Sequence, residues 1–123
     1  MGTYRFEKLR VYQDALSLVE QIYTFVKKLP NDEKFALIDQ LKRSSTSIVL
    51  NIAEGSGGQG DIEYKNFLRI SRKSLYETIA NLKIAERLFH LNIAHLLDQC
   101  ELVGRELNGL INALSDQKSK AKD

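Results

Sequence analysis

At 123 residues, with 43% hydrophobic and 28% charged side chains, the chain has the size and composition of one globular domain that can bury a core without disulfides or metal. A net charge of +2, from 18 basic and 16 acidic residues, is too small to announce nucleic acid by itself, so only the distribution of charge is informative. The single cysteine, Cys100, excludes an intrachain disulfide. With no signal-like N-terminal segment and no apolar run near the roughly 20 residues that cross a bilayer, the expectation is a cytoplasmic protein with no membrane span.

The first element is read from Leu9, Tyr12, Leu16, Val19, Ile22, Tyr23, Val26 and Leu29, whose steps of three and four keep one helical face against a core. Pro30, the only proline, ends it. Asn31 is the expected cap of a second helix, with Asp32 and Glu33 in its electropositive first turn and an apolar set of Phe35, Ile38, Leu41, Ile48 and Ile52 running to a break at Gly55. Asp61 is the expected cap of a third helix from about 62 to about 90. Its face is read from Tyr64, Leu68, Leu75, Leu82 and Phe89, widened by Phe67, Ile70, Ile79, Ile84 and Leu88. A turn at His90–Asn92 precedes a fourth stripe of Ile93, Leu97, Cys100, Val103, Leu107, Leu110, Ile111 and Leu114. Four amphipathic helices with short connections predict an all-α, antiparallel up-and-down four-helix bundle over residues 1–114, followed by a polar, disordered tail over 115–123.

Motifs for chemistry are sparse. Gly55-Ser56-Gly57-Gly58-Gln59-Gly60 matches GxGxxG, but a helix precedes it rather than a strand, so it reads as a helix end and loop and not as a dinucleotide site. His90, His95 and Cys100 lack the close pairing of a zinc site, and Cys100 lies on the apolar stripe as a small core residue. No Glu-x-x-His occurs, and nothing in the sequence brings His90 or His95 to the hydroxyls of Ser44, Ser45, Thr46 and Ser47 as a base. No cofactor, no metal and no catalytic residue are expected.

Two surfaces stand out instead. Gln40, Ser44, Ser47, Asn51 and Glu54 step by four, three, four and three along the second helix, a polar stripe that is either a wet surface or a close contact with another helix or chain. Buried there, Asn51 and Glu54 would need partners such as Arg43, Ser74 or Glu77. On the third helix the run from Tyr64 to Tyr76 holds no acid, while Lys65, Arg69, Arg72 and Lys73 share one side, with Lys42 and Arg43 able to extend the patch and Tyr76 as a candidate for base stacking. The patch is either a phosphate-binding face or a solvated one balanced by acids on neighbouring helices.

The opening FEKLRVYQ (6–13), the segment QLKRSSTSIVLNIAEG (40–55) and FLRISRKSLYE (67–77) together resemble the four-helix-bundle proteins encoded in bacterial 23S rRNA intervening sequences, over nearly the whole chain. Lys73 stands where that pattern has a glycine. The resemblance implies a bundle that assembles into a ring-like homo-oligomer, a pentamer, of poorly understood function. It also implies kinship with the accessory variability protein of diversity-generating retroelements, a similar basic bundle that works with a reverse transcriptase and RNA. Carried onto this chain it assigns Arg43, Ser47, Asn51, Glu54, Ser74 and Glu77 to structure or assembly, alongside Gln40 and Ser44 of the stripe. Two function classes follow: a non-catalytic module that binds RNA or another nucleic acid through Lys65, Arg69, Arg72, Lys73 and Lys42, with RNA or a nucleic-acid-processing protein as the expected partner, or a protein-interaction scaffold with no nucleic-acid binding.

Overall fold

The computed structural model describes residues 4–122, with side chains through residue 114. Four α-helices carry the described chain: α1 (Arg10–Phe25), α2 (Leu37–Ser56), α3 (Asp61–Phe89) and α4 (Ala94–Lys122), with short 3-10 turns at Arg5–Lys8, Val26–Lys28 and Asn31–Glu33. The helices stand in a square in which α1 neighbours α2 and α4, and α3 neighbours the same two. Their cores meet in one cluster that includes Leu18, Ile22, Leu41, Ile48, Ile52, Leu68, Leu82, Val103 and Leu107. No helix among the described residues is long and apolar enough to cross a membrane.

Direction is fixed by pairs of contacts. Ser44 meets Thr78, Ser47 meets Ser74 and Ile48 meets Ser71, so α3 numbers fall as α2 numbers rise and the two helices run antiparallel. Arg72 meets Asn108 and Leu75 lies against Gly104, which makes α3 and α4 antiparallel as well.

Several boundaries differ from the sequence reading. The second helix does not start from an Asn31 cap: Asn31–Glu33 form a separate 3-10 turn after Pro30, and α2 begins only at Leu37. Phe35, expected in the core, falls in this connection and is 88% exposed. Gly55 does not break α2, which continues to Ser56; it is buried where α3 crosses closely. Asp61 is the first residue of α3 rather than its cap, because Gly60 holds the cap position with φ of +136°, a conformation open to glycine. The turn after α3 is made by His90 in the left-handed region, φ +55°, which a C-terminal cap requires. The backbone of α4 is helical to Lys122, whereas the side chains of 115–122 and residue 123, where a disordered tail is expected, lie outside the described residues.

The faces of α1 and α3 are also corrected. Leu16 and Tyr23 on α1, and Ile70, Ile84 and Leu88 on α3, are exposed, whereas Ser71, Thr78, Asn81 and Ala85 occupy the interior of α3. Small and hydroxyl side chains thus alternate with Leu68, Leu75 and Leu82 in the interior of α3, while Ile70, Ile84 and Leu88 stay at the surface.

Gly55 marks the closest part of this packing. A Cβ there would lie 2.8 Å from Cβ of Phe67 and 3.0 Å from the Tyr64 ring, and Phe67 Cβ is too near its backbone to move away. Gly55→Ala is expected to lower stability by about 1–3 kcal/mol through overpacking, despite alanine's better helix propensity. A thermal or urea melt checks it, and an unchanged midpoint would contradict the tight crossing.

Candidate functional site

The polar stripe of α2 turns toward α3 and becomes a seam of hydroxyls. Ser44 is 3% exposed and takes the Thr78 hydroxyl at 2.8 Å, while Ser47 and Ser74 share a hydrogen bond of 2.8 Å. The amide of Asn51 donates to the Ser47 carbonyl at 2.8 Å and to its hydroxyl at 3.1 Å, and Ser71, fully buried, donates to the Ile48 carbonyl. The buried hydroxyls are therefore paired within the chain, as burial demands.

Outside these pairs the seam opens into a groove of about 320 Å³ lined by Gln40, Arg43, Ser44, Ser47, Ser74 and Glu77. The stripe is thus neither wholly wet nor wholly packed: Ser44 and Ser47 meet α3 and Asn51 folds back on Ser47, whereas Gln40, Glu54, Arg43 and Glu77 are exposed. Arg43 does not serve Asn51 or Glu54; it pairs with Asp39 one turn back at 3.5 Å. Leu50, 59% exposed, and Ile70, 46% exposed, are apolar residues of the same two helices left at the surface.

The basic residues separate into two places. Lys65, Arg69, Arg72 and Lys73 follow one side of α3, and Arg72 reaches to α4, donating to the Asn108 side chain at 2.8 Å. Arg69 donates to Asn66 at a long 3.4 Å. Among the described residues Arg69, Arg72 and Lys73 have no carboxylate partner, while Arg105 nearby on α4 pairs with Glu101 at 3.5 Å. Tyr76, 63% exposed, lines the same α3–α4 groove as Arg72 and Arg105.

Lys42 does not extend this face. It lies on the α1 side of α2, its ammonium 5.0 Å from the centre of the Tyr23 ring, because residue 42 sits about 100° round the helix from Arg43.

The glycine loop is answered from within. The Gln59 amide donates to the Glu63 carboxylate at 3.0 Å, and Gly58 packs against the same carboxylate, so an acid occupies the place where a phosphate would sit. His90 caps α3, and Cys100 is buried with its thiol pushed up to about 12 by burial, which keeps it protonated and unreactive. Among the described residues, no three His, Cys, Asp or Glu side chains are placed to hold a metal ion.

The family model described as "23S rRNA-intervening sequence protein" matches residues 7–109, spanning all of α1 to α3 and most of α4. The chain belongs to the 23S rRNA-intervening sequence protein family. It is also similar to a crystal structure from Bacteroides thetaiotaomicron VPI-5482, described as a protein with unknown function from the S23 ribosomal protein family. That structure has a TM-score of 0.74 and 26% identity, over 83% of this chain and 95% of the other. No curated protein matches. Neither description names an enzyme.

Among the described residues of this family member one carboxyl is strongly shifted, and it lies outside these surfaces. Glu106 of α4 is pushed up to about 7, by burial first and then by the neighbouring Asp14 carboxyl, against the lowering influence of Arg10 and Arg105. Its Oε1 is buried without a partner. A carboxyl whose folded pKa exceeds its unfolded one holds its proton more tightly when folded, so its stabilising effect is full below about 4.5 and is lost as pH rises through about 7. Urea denaturation across that window is expected to show wild-type stability falling with pH and a flatter profile for Glu106→Gln, which keeps a neutral side chain throughout. Parallel profiles would contradict the assignment.

Proposed function

We propose that this family member is a non-catalytic, self-associating bundle that binds RNA through the outer face of α3. The observation that carries the reading is the acid-free run from Tyr64 to Tyr76, in which Arg69, Arg72 and Lys73 lack carboxylate partners and stand beside the exposed ring of Tyr76. Cations left without a carboxylate partner gain by meeting phosphates and releasing counterions, and an exposed ring offers a stacking surface for an unpaired base. The α2–α3 groove, with Leu50 and Ile70 at the surface beside paired hydroxyls, supplies the self-association face, and resemblance to the family suggests a pentamer. A ring would repeat the basic face, and such repetition raises apparent affinity by roughly 100-fold or more without new contacts. The protein would act in the cytoplasm.

Titration of a fluorescent structured RNA at several salt concentrations, with oligomer mass recorded by light scattering, tests this. Arg69→Glu with Lys73→Glu is expected to weaken binding and to reduce the slope of log affinity against log salt by about 2, with oligomer mass unchanged. Wild-type binding unaffected by the double change would remove the α3 face. Absence of binding at low salt together with a stable oligomer would favour a second reading, a protein-interaction scaffold, which the mixed apolar and polar α2–α3 face supports.

A further inference from the structure

A concavity of about 400 Å³ lies between the C-terminal end of α1 and the start of α2. Three of its nine lining residues are lysines, Lys27, Lys34 and Lys42, and none is acidic. The chain reversal builds it. α1 stops at Phe25, buried Val26 and Leu29 fasten the connection, and Pro30 starts a 3-10 turn that brings Lys34 to the same hollow as Lys42.

What marks the hollow is three cations gathered in a lining without an acid, and among the described residues none of these three lysines has an ion pair. Aromatic faces hold two of them instead: Lys42 lies 5.0 Å from the Tyr23 centroid and Lys34 lies 5.5 Å from that of Phe35. A ring face attracts an ammonium without neutralising it. The dipole at the end of α1 accounts for Lys27, but Lys34 and Lys42 belong to other elements and are outside its reach. Three like charges around one hollow repel each other, and an anion bound among them turns that repulsion into attraction.

We propose that this hollow binds the phosphate of a nucleotide, with Lys27, Lys34 and Lys42 on the phosphate oxygens and the exposed Tyr23 ring against the base. Its volume falls in the range of small-molecule sites, and its floor of Val26, Leu29 and Ile38 is apolar, which suits the planar part of such a ligand. Asn31, also in the lining, adds an amide that can donate to a phosphate or pair with a base edge. The nucleotide comes either free or as one unit of an RNA strand. The site is separate from the α3 face, so either can fail without the other.

Calorimetric titration of the full chain with adenosine 5′-diphosphate, inorganic pyrophosphate and a short single-stranded RNA, at low salt, tests the site. All titrations use the Arg69→Glu/Lys73→Glu background, which removes the α3 face. Saturable binding of the diphosphate is expected, weakened about tenfold for each of Lys27→Gln, Lys34→Gln and Lys42→Gln, as a lost charge-assisted hydrogen bond implies. Tyr23→Leu is expected to weaken the diphosphate and leave pyrophosphate unchanged. These lysines are surface groups, and matching thermal melts verify that the variants fold. If the triple lysine variant loses the RNA together with the diphosphate, the ligand is a nucleotide within a strand; if it loses the diphosphate alone, the ligand is free. Absence of saturable binding to all three probes, or equal affinity in wild-type and triple-lysine sites, overturns the proposal.

Discussion

The close approach of α2 and α3 organises the molecule. Two helices can come near enough for Ser71 to reach the Ile48 carbonyl only if the residues between them are small, and Ser44, Ser47, Gly55, Ser71 and Ser74 meet that condition. Each hydroxyl drawn into the seam needs a partner, and the partners come from the opposite helix or from the preceding turn. This pairing sets the rotation of α3. With Ser71, Ser74 and Thr78 facing α2, the cations at 69, 72 and 73 have no choice but the side toward α4 and solvent.

The bundle was legible in the sequence because its signals are local: steps of three and four, one proline, and a cluster of glycines. The helix count and the stripe of α4 follow from them, down to buried Cys100, Val103 and Leu107. What was not legible depended on partners. Ile70, Ile84 and Leu88 read as core by hydropathy, yet the positions that face α2 are taken by Ser71, Thr78 and Asn81, since contact distance there selects size above hydrophobicity. Phe35 read as core because nothing local distinguishes the 3-10 turn after Pro30 from the first turn of a helix.

The same distinction applies to the surfaces. Lys65, Arg69, Arg72 and Lys73 sit on one helix, so spacing alone grouped them. The seam residues Ser47 and Ser74 are 27 positions apart, and only their shared family pattern linked them before the geometry did. Lys27, Lys34 and Lys42 come from a helix end, a connection and a second helix, and no periodicity joins such a set. Lys42 adjoins Arg43 along the chain, but the helix turns it to the Tyr23 side, away from the α3 cations.

The square is unevenly open to sequence drift. At Gly55 an added methyl strikes Phe67 and Tyr64, and at Gly104 it would stand 3.3 Å from Leu75, whereas at Gly109 it meets nothing within 4 Å. Mutation can therefore accumulate on the outer turns of α4 while α2 and α3 are held to a narrow alphabet of small side chains. Two such bundles can share few residues overall and still superpose, provided that small side chains are kept where α2 and α3 cross.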